Sequence, residues 1–147
     1  METSQEIRDL ANRRLEEAKV LIDNSFFEGA IYLAGYSVEL SLKAKICDLI
    51  DIPDLFNFGN NGIKSDHTKS YRSHDLERLV LFSGLRNKLQ SAKSEDIEIF
   101  KNWSVVCEWS EDKRYCKCGL NSKNEADRLV QAITDVSKGI KTWIERH

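Results

Sequence analysis

Apolar side chains recur at three- and four-residue steps along most of the chain. In residues 4–23 they are Ile7, Leu10, Ala11, Leu15, Ala18, Leu21 and Ile22. Arg8, Arg13, Arg14, Glu16, Glu17 and Lys19 fill the opposite side. That period predicts an amphipathic helix. Thr3-x-x-Glu6 just ahead of it is a capping box, with hydroxyl and carboxylate each able to satisfy a first-turn amide.

Residues 26–50 predict a second helix that is apolar on more than one face, through Phe27, Ile31, Leu33, Val38, Leu40, Leu42, Ile46 and Leu49 among others. Such a helix sits in the middle of a bundle. Ala30, Ala34, Gly35, Ser37 and Ser41 are small and allow close helix approach. A polar stripe interrupts the pattern: Tyr32, Tyr36, Glu39 and Lys43, the last two four apart in the favourable order. Ile52-Pro53 stops the helix. Residues 54–73 read as a loop with turn formers at Asn57, Gly59, Asn60, Asn61 and Gly62. A loop of that length in a compact domain is usually functional or mobile.

Ser73 is the expected cap of a third helix over 74–82, which Ser83-Gly84 interrupts. Ser94, followed by Glu95 and Asp96, predicts the start of a fourth, carrying Ile97, Ile99, Phe100, Trp103 and Val106. Residues 109–121 read as irregular. Ser122-x-x-Glu125 is a second capping box. A fifth helix over 123–145 would bury Ala126, Leu129, Val130, Ile133, Val136, Ile140, Trp143 and Ile144. The expectation is a single all-α domain over 1–147, an up-and-down antiparallel bundle of about five helices with the second central.

Composition agrees. The 147 residues include Gly 7 and Pro 1, roughly 5% together against about 12% in average usage, too few for the turns of a sandwich or barrel. With Lys+Arg 22 and Asp+Glu 24, the net charge of −2 does not support global capture of nucleic acid. Local basic clusters do occur at Lys64, Lys69, Arg72 and Arg78, and at Lys113, Arg114, Tyr115 and Lys117. Each reads either as a backbone-tracking patch or as a solvated face. No stretch reads as a membrane span and the polar N-terminus has no hydrophobic signal core, so a cytoplasmic location is expected, with Cys47, Cys107, Cys116 and Cys118 reduced. Their spacing matches no zinc motif, and no metal or cofactor is expected.

Two segments carry a family resemblance. Ala30 to Lys45, an apolar run broken by Glu39 and Lys43, resembles the second helix of HEPN domains (higher eukaryotes and prokaryotes nucleotide-binding). Ser73-His74-Asp75-Leu76-Glu77-Arg78-Leu79 is similar to the opening of that family's third helix. Trp109, Arg114 and Tyr115 before a long closing helix match the family layout. The resemblance implies a helical bundle that often dimerises. It also implies association with RNA cleavage, with RNA or nucleotide binding, or with a partner nucleotidyltransferase in toxin–antitoxin pairs.

Cleaving members share an R-x(4–6)-H motif, in which arginine engages phosphate and histidine moves protons without a metal. Here none of His67, His74 and His147 has an arginine five to seven residues before it. The nearest approximation is Lys69-x4-His74 with Arg72 between, and lysine cannot reproduce the guanidinium fork. The leading expectation is therefore a dimeric accessory or binding protein that lacks the complete nuclease motif, with Glu39, Lys43, Tyr36, Arg114 and Tyr115 as candidate binding residues. The alternatives are a divergent metal-independent ribonuclease using His74 with Lys69 or Arg72, and a purely structural dimeric scaffold. Glu39 and Lys43 equally suit a buried structural ion pair.

Overall fold

A computed structural model of the chain describes residues 3–57 and 63–147. The expected turn formers Gly59, Asn60, Asn61 and Gly62 lie outside them. Every regular element among the described residues is helical: α1 (Ser4–Asp23), α2 (Phe27–Ile50), α3 (Ser65–Thr68), α4 (Leu76–Phe82), α5 (Arg86–Glu95), α6 (Ile97–Val106), α7 (Lys123–Thr134) and α8 (Ile140–Arg146), with 3-10 turns at Lys69–Arg72 and Glu111–Tyr115. No described helix is long and apolar enough to cross a membrane.

The two long helices follow their sequence signals. Thr3 and Glu6 form the capping box of α1, whose Ile7, Ala11, Leu15, Ala18 and Ile22 are buried. This stripe packs along α2. α2 is the centre of the molecule and touches α1, α4, α7, α8 and the 111–115 turn. Each fully buried Leu or Ile there contributes about 1.5–3 kcal/mol by leaving water. Its buried hydroxyls are satisfied locally: Ser37 donates to the Ala34 carbonyl at 2.6 Å and Ser41 to that of Ser37 at 2.9 Å. Asp51 ends the helix in a left-handed conformation at φ 57°, just before Pro53.

Beyond α2 the chain is more finely divided than its pattern suggests, into eight α-helices among the described residues where about five are expected. The 54–73 segment contains α3 and a 3-10 turn. The third helix begins at Leu76, not at His74, because Asp75 is the cap: its carboxylate accepts from the amides of Glu77 and Arg78 at 3.0 and 3.2 Å. Ser73 accepts instead from the Asp75 amide. Ser94 starts no helix. It lies inside α5, donating to the Gln90 carbonyl, while Asp96 caps α6 through the Glu98 amide.

The expected 123–145 helix breaks at 135–139. Asp135 accepts from the amides of Ser137 and Lys138 at 3.0 and 2.8 Å, and this side-chain turn outcompetes the helical ladder. Lys138 also pairs with Asp96, and its carbonyl accepts from Asn102. The break leaves Val136 79% exposed, contrary to its place in the apolar pattern. Leu49, on the rim of α2, is likewise 59% exposed.

Candidate functional site

The polar stripe of α2 becomes a buried charge cluster. Glu39 is fully buried and Lys43 nearly so, and Lys43 Nζ lies 2.7 Å from Glu39 Oε1. The ammonium also sits 5.5 Å from the Phe56 ring centre. A buried carboxylate costs several kcal/mol unless its oxygens are satisfied. Glu39 gains a second partner from the segment ahead of α4: His74 Nδ1 lies 3.0 and 3.2 Å from its two oxygens. Ionised carboxylate oxygens only accept, so Nδ1 carries the hydrogen.

The other face of the imidazole meets a second acid. His74 Nε2 is 3.3 Å from Glu111 Oε2, at the start of the 3-10 turn that also carries Arg114. Arg114 approaches the same oxygen at 3.7 Å and lies 4.9 Å from the Tyr115 ring centre. In the imidazolium form Nδ1–H donates to Glu39 and the charge on Nε2–H faces the Glu111 carboxylate. In the neutral Nδ1–H tautomer the buried bond survives and Nε2 turns a lone pair towards Glu111. The sequence-identified residues Glu39, Lys43, His74, Arg114 and Tyr115 thus form one chain of contacts from the core to the surface, with Glu111 as the joint.

Tyr36 belongs to an adjoining aromatic row. Its ring centre lies 6.0 Å from that of Tyr32, nearly parallel, and Tyr32 lies 6.2 Å from Trp109. Burial, and then the nearby Glu39, push the Tyr36 phenol above its ordinary range. Trp109 anchors the row and donates Nε1–H to the Tyr32 carbonyl at 3.2 Å. It lies directly on Gly35, where a Cβ would stand 2.1 Å from the indole. The small residue of α2 thereby admits a side chain of the 109–121 segment.

Among the described residues, neither Lys69 nor Arg72 pairs with His74. Its Nδ1 bonds to Glu39 and its Nε2 faces Glu111, while Arg72 Nη2 donates to Thr68 Oγ1 at 3.2 Å. His67 is exposed, and His147 stacks on Trp143 with ring centres 4.5 Å apart. Among the described residues, no three His, Cys, Asp or Glu side chains are grouped to hold a metal ion.

His74 opens onto a cleft of about 560 Å³ whose other charged lining groups are Asp75, Glu77, Glu111 and Asp112. Among the described residues no lysine or arginine lines it. The lining is therefore mainly acidic, which disfavours a phosphodiester there. Sequence reasoning missed Glu111 and the role of Gly35. The acid before Arg114-Tyr115 carries no motif, and its partner lies far away in the chain. No family model, curated protein or solved structure matches the chain.

Proposed function

We propose that this chain is a HEPN-like helical protein that binds rather than cleaves. In this reading it is a dimeric accessory module working beside a protein partner, of the nucleotidyltransferase type that the resemblance implies. Its frame is the up-and-down bundle of that family, with α1, α2 and the α7–α8 pair as the long members. One observation carries the non-catalytic part. His74, the residue best placed by sequence for proton transfer, commits Nδ1 to the buried Glu39 and sets Nε2 3.3 Å from a second carboxylate, Glu111, in a cleft lined among the described residues by acids and by no lysine or arginine. Transition-state charge in phosphodiester cleavage calls for the opposite arrangement, positive groups aimed at the phosphoryl oxygens. The acidic cleft also favours a protein partner over an RNA backbone at this face.

Incubation of the purified protein with total RNA in EDTA tests this. The wild type and His74→Ala should leave RNA equally intact. Cleavage that disappears in His74→Ala overturns the reading and favours the metal-independent ribonuclease, for which a carboxylate-oriented imidazole is the supporting feature. Light scattering tests the dimer: a strict monomer at high concentration removes that part alone.

A further inference from the structure

A second cavity, of about 180 Å³, shares Trp109 with the lining of the His74 cleft. That space has room for several ordered waters or a small organic ligand. Its floor is apolar, formed by Ile31, Trp109 and Leu129, all buried. Lys113, Arg128, Glu108 and Glu125 stand at its edge.

These four charges are not equivalent. Glu125 is committed: its Oε2 accepts from the Ser122 amide at 2.8 Å and from Asn121 Nδ2 at 3.2 Å. Those bonds hold its carboxyl below the usual range. Lys113, Arg128 and Glu108 make no ion pair within 4 Å and no side-chain hydrogen bond among the described residues, although Lys113 lies close enough to help lower the Glu125 carboxyl. The cavity therefore offers an unpaired guanidinium from Arg128, an ammonium from Lys113 that faces Glu125 without bonding to it, an unpaired carboxylate from Glu108 and an apolar floor. Ligand sites commonly combine such a floor with a few polar groups that fix orientation.

We propose that this cavity binds a free α-amino acid with a branched aliphatic or aromatic side chain. Arg128 and Lys113 take the carboxylate, Glu108 takes the ammonium, and the side chain lies on Trp109 and Leu129. A guanidinium suits a carboxylate because its two N–H groups match the two oxygens. The site does not depend on the reading of the His74 cleft, because none of its charged groups belongs to the Glu39–His74 chain of contacts.

Titration of the full chain with L-leucine and with L-phenylalanine tests this, followed by calorimetry, thermal shift and tryptophan emission. Saturable binding is expected, with the melting temperature raised by several degrees at about a hundredfold excess over Kd. Arg128→Ala and Lys113→Ala, at exposed and half-buried positions, should each weaken binding about tenfold or more and leave the ligand-free melting temperature unchanged. N-acetyl-leucine and leucinamide, each missing one charge, should lose affinity by a similar factor. An absence of saturable binding up to about 10 mM overturns the proposal. So does binding that survives the Arg128→Ala, Lys113→Ala double variant, and so does N-acetyl-leucine binding as tightly as leucine.

Discussion

His74 reaches 35 residues back along the chain to put Nδ1 within 3.0 and 3.2 Å of the two oxygens of Glu39, a carboxylate with no exposure to water. The bond ties the start of α4 to the central helix. Glu111 Oε2 stands 3.3 Å from the other ring nitrogen, so one imidazole lies against three segments. Histidine suits this position because its two ring nitrogens point to opposite sides of a short, rigid side chain.

Glu39 has two partners and Lys43 has one acid, so their replacements should differ. Glu39→Gln leaves the Lys43 ammonium buried beside an uncharged amide, and breaking a buried pair from one side costs about 3–5 kcal/mol. Lys43→Met keeps the His74 bond to Glu39 and should cost less. Urea unfolding of both variants checks the order. Equal losses would mean that His74 contributes little to holding the buried charge.

Gly35 should tolerate no side chain. The Cβ of Gly35→Ala would meet the Trp109 indole at 2.1 Å, so the tryptophan or the helix has to shift. Overpacking of this kind costs about 1–3 kcal/mol, and the upper end is expected because the Trp109 bond to the Tyr32 carbonyl is displaced as well. The urea midpoint should fall with an unchanged slope. A neutral substitution would contradict the packing of Trp109 on α2.

The 135–139 break should be acid-sensitive. Asp96 is held below the usual carboxylate range, first by its bond from Lys138, and Asp135 by the Lys138 and Ser137 amides. A depressed folded-state value means the stabilisation is present above the ordinary aspartate value of 3.8. It is lost as pH falls through the lower folded values. Melting temperature should therefore drop below about pH 4, and the drop should be shallower in Asp96→Asn. An identical acid limb in that variant would exclude the Asp96–Lys138 pair as a source.

Thiol labelling should sort the cysteines by environment. Burial pushes the Cys47 thiol up to about 11 and also raises that of Cys107, which is less enclosed. The thiolate is the reactive form, so iodoacetamide at pH 8 should label exposed Cys118 first and Cys47 only after unfolding. Mass spectrometry of the folded protein checks this; early labelling of Cys47 would mean that the α2 end opens.

The central helix and its neighbour α1 were legible because periodicity and capping are local properties. Glu39, Lys43 and His74 stood out for the same reason, as polar residues in apolar or motif-like surroundings. Their convergence was not legible, since nothing in a sequence states that residue 74 folds back onto residue 39. Glu111 was missed because a lone acid on a polar turn looks like solvent-facing charge. The break after Thr134 was missed because Ile140, Trp143 and Ile144 keep the helical apolar spacing across it. The side-chain turn of Asp135, together with Gly139, whose missing Cβ lets the chain pack on the Asp135 backbone, distinguishes two helices from one. Lys69 and Arg72 were grouped with His74 by sequence nearness, yet the 3-10 turn carries Arg72 to Thr68 instead.

The clamp itself is tested most directly by a double-mutant cycle between Glu39→Gln and His74→Ala, read by urea unfolding. The orphaned Lys43 appears in both arms that lack Glu39 and cancels. A bond from imidazole to a buried carboxylate predicts a coupling of about 1.5–3 kcal/mol. Additive losses within about 0.5 kcal/mol would contradict it and free His74 for another role.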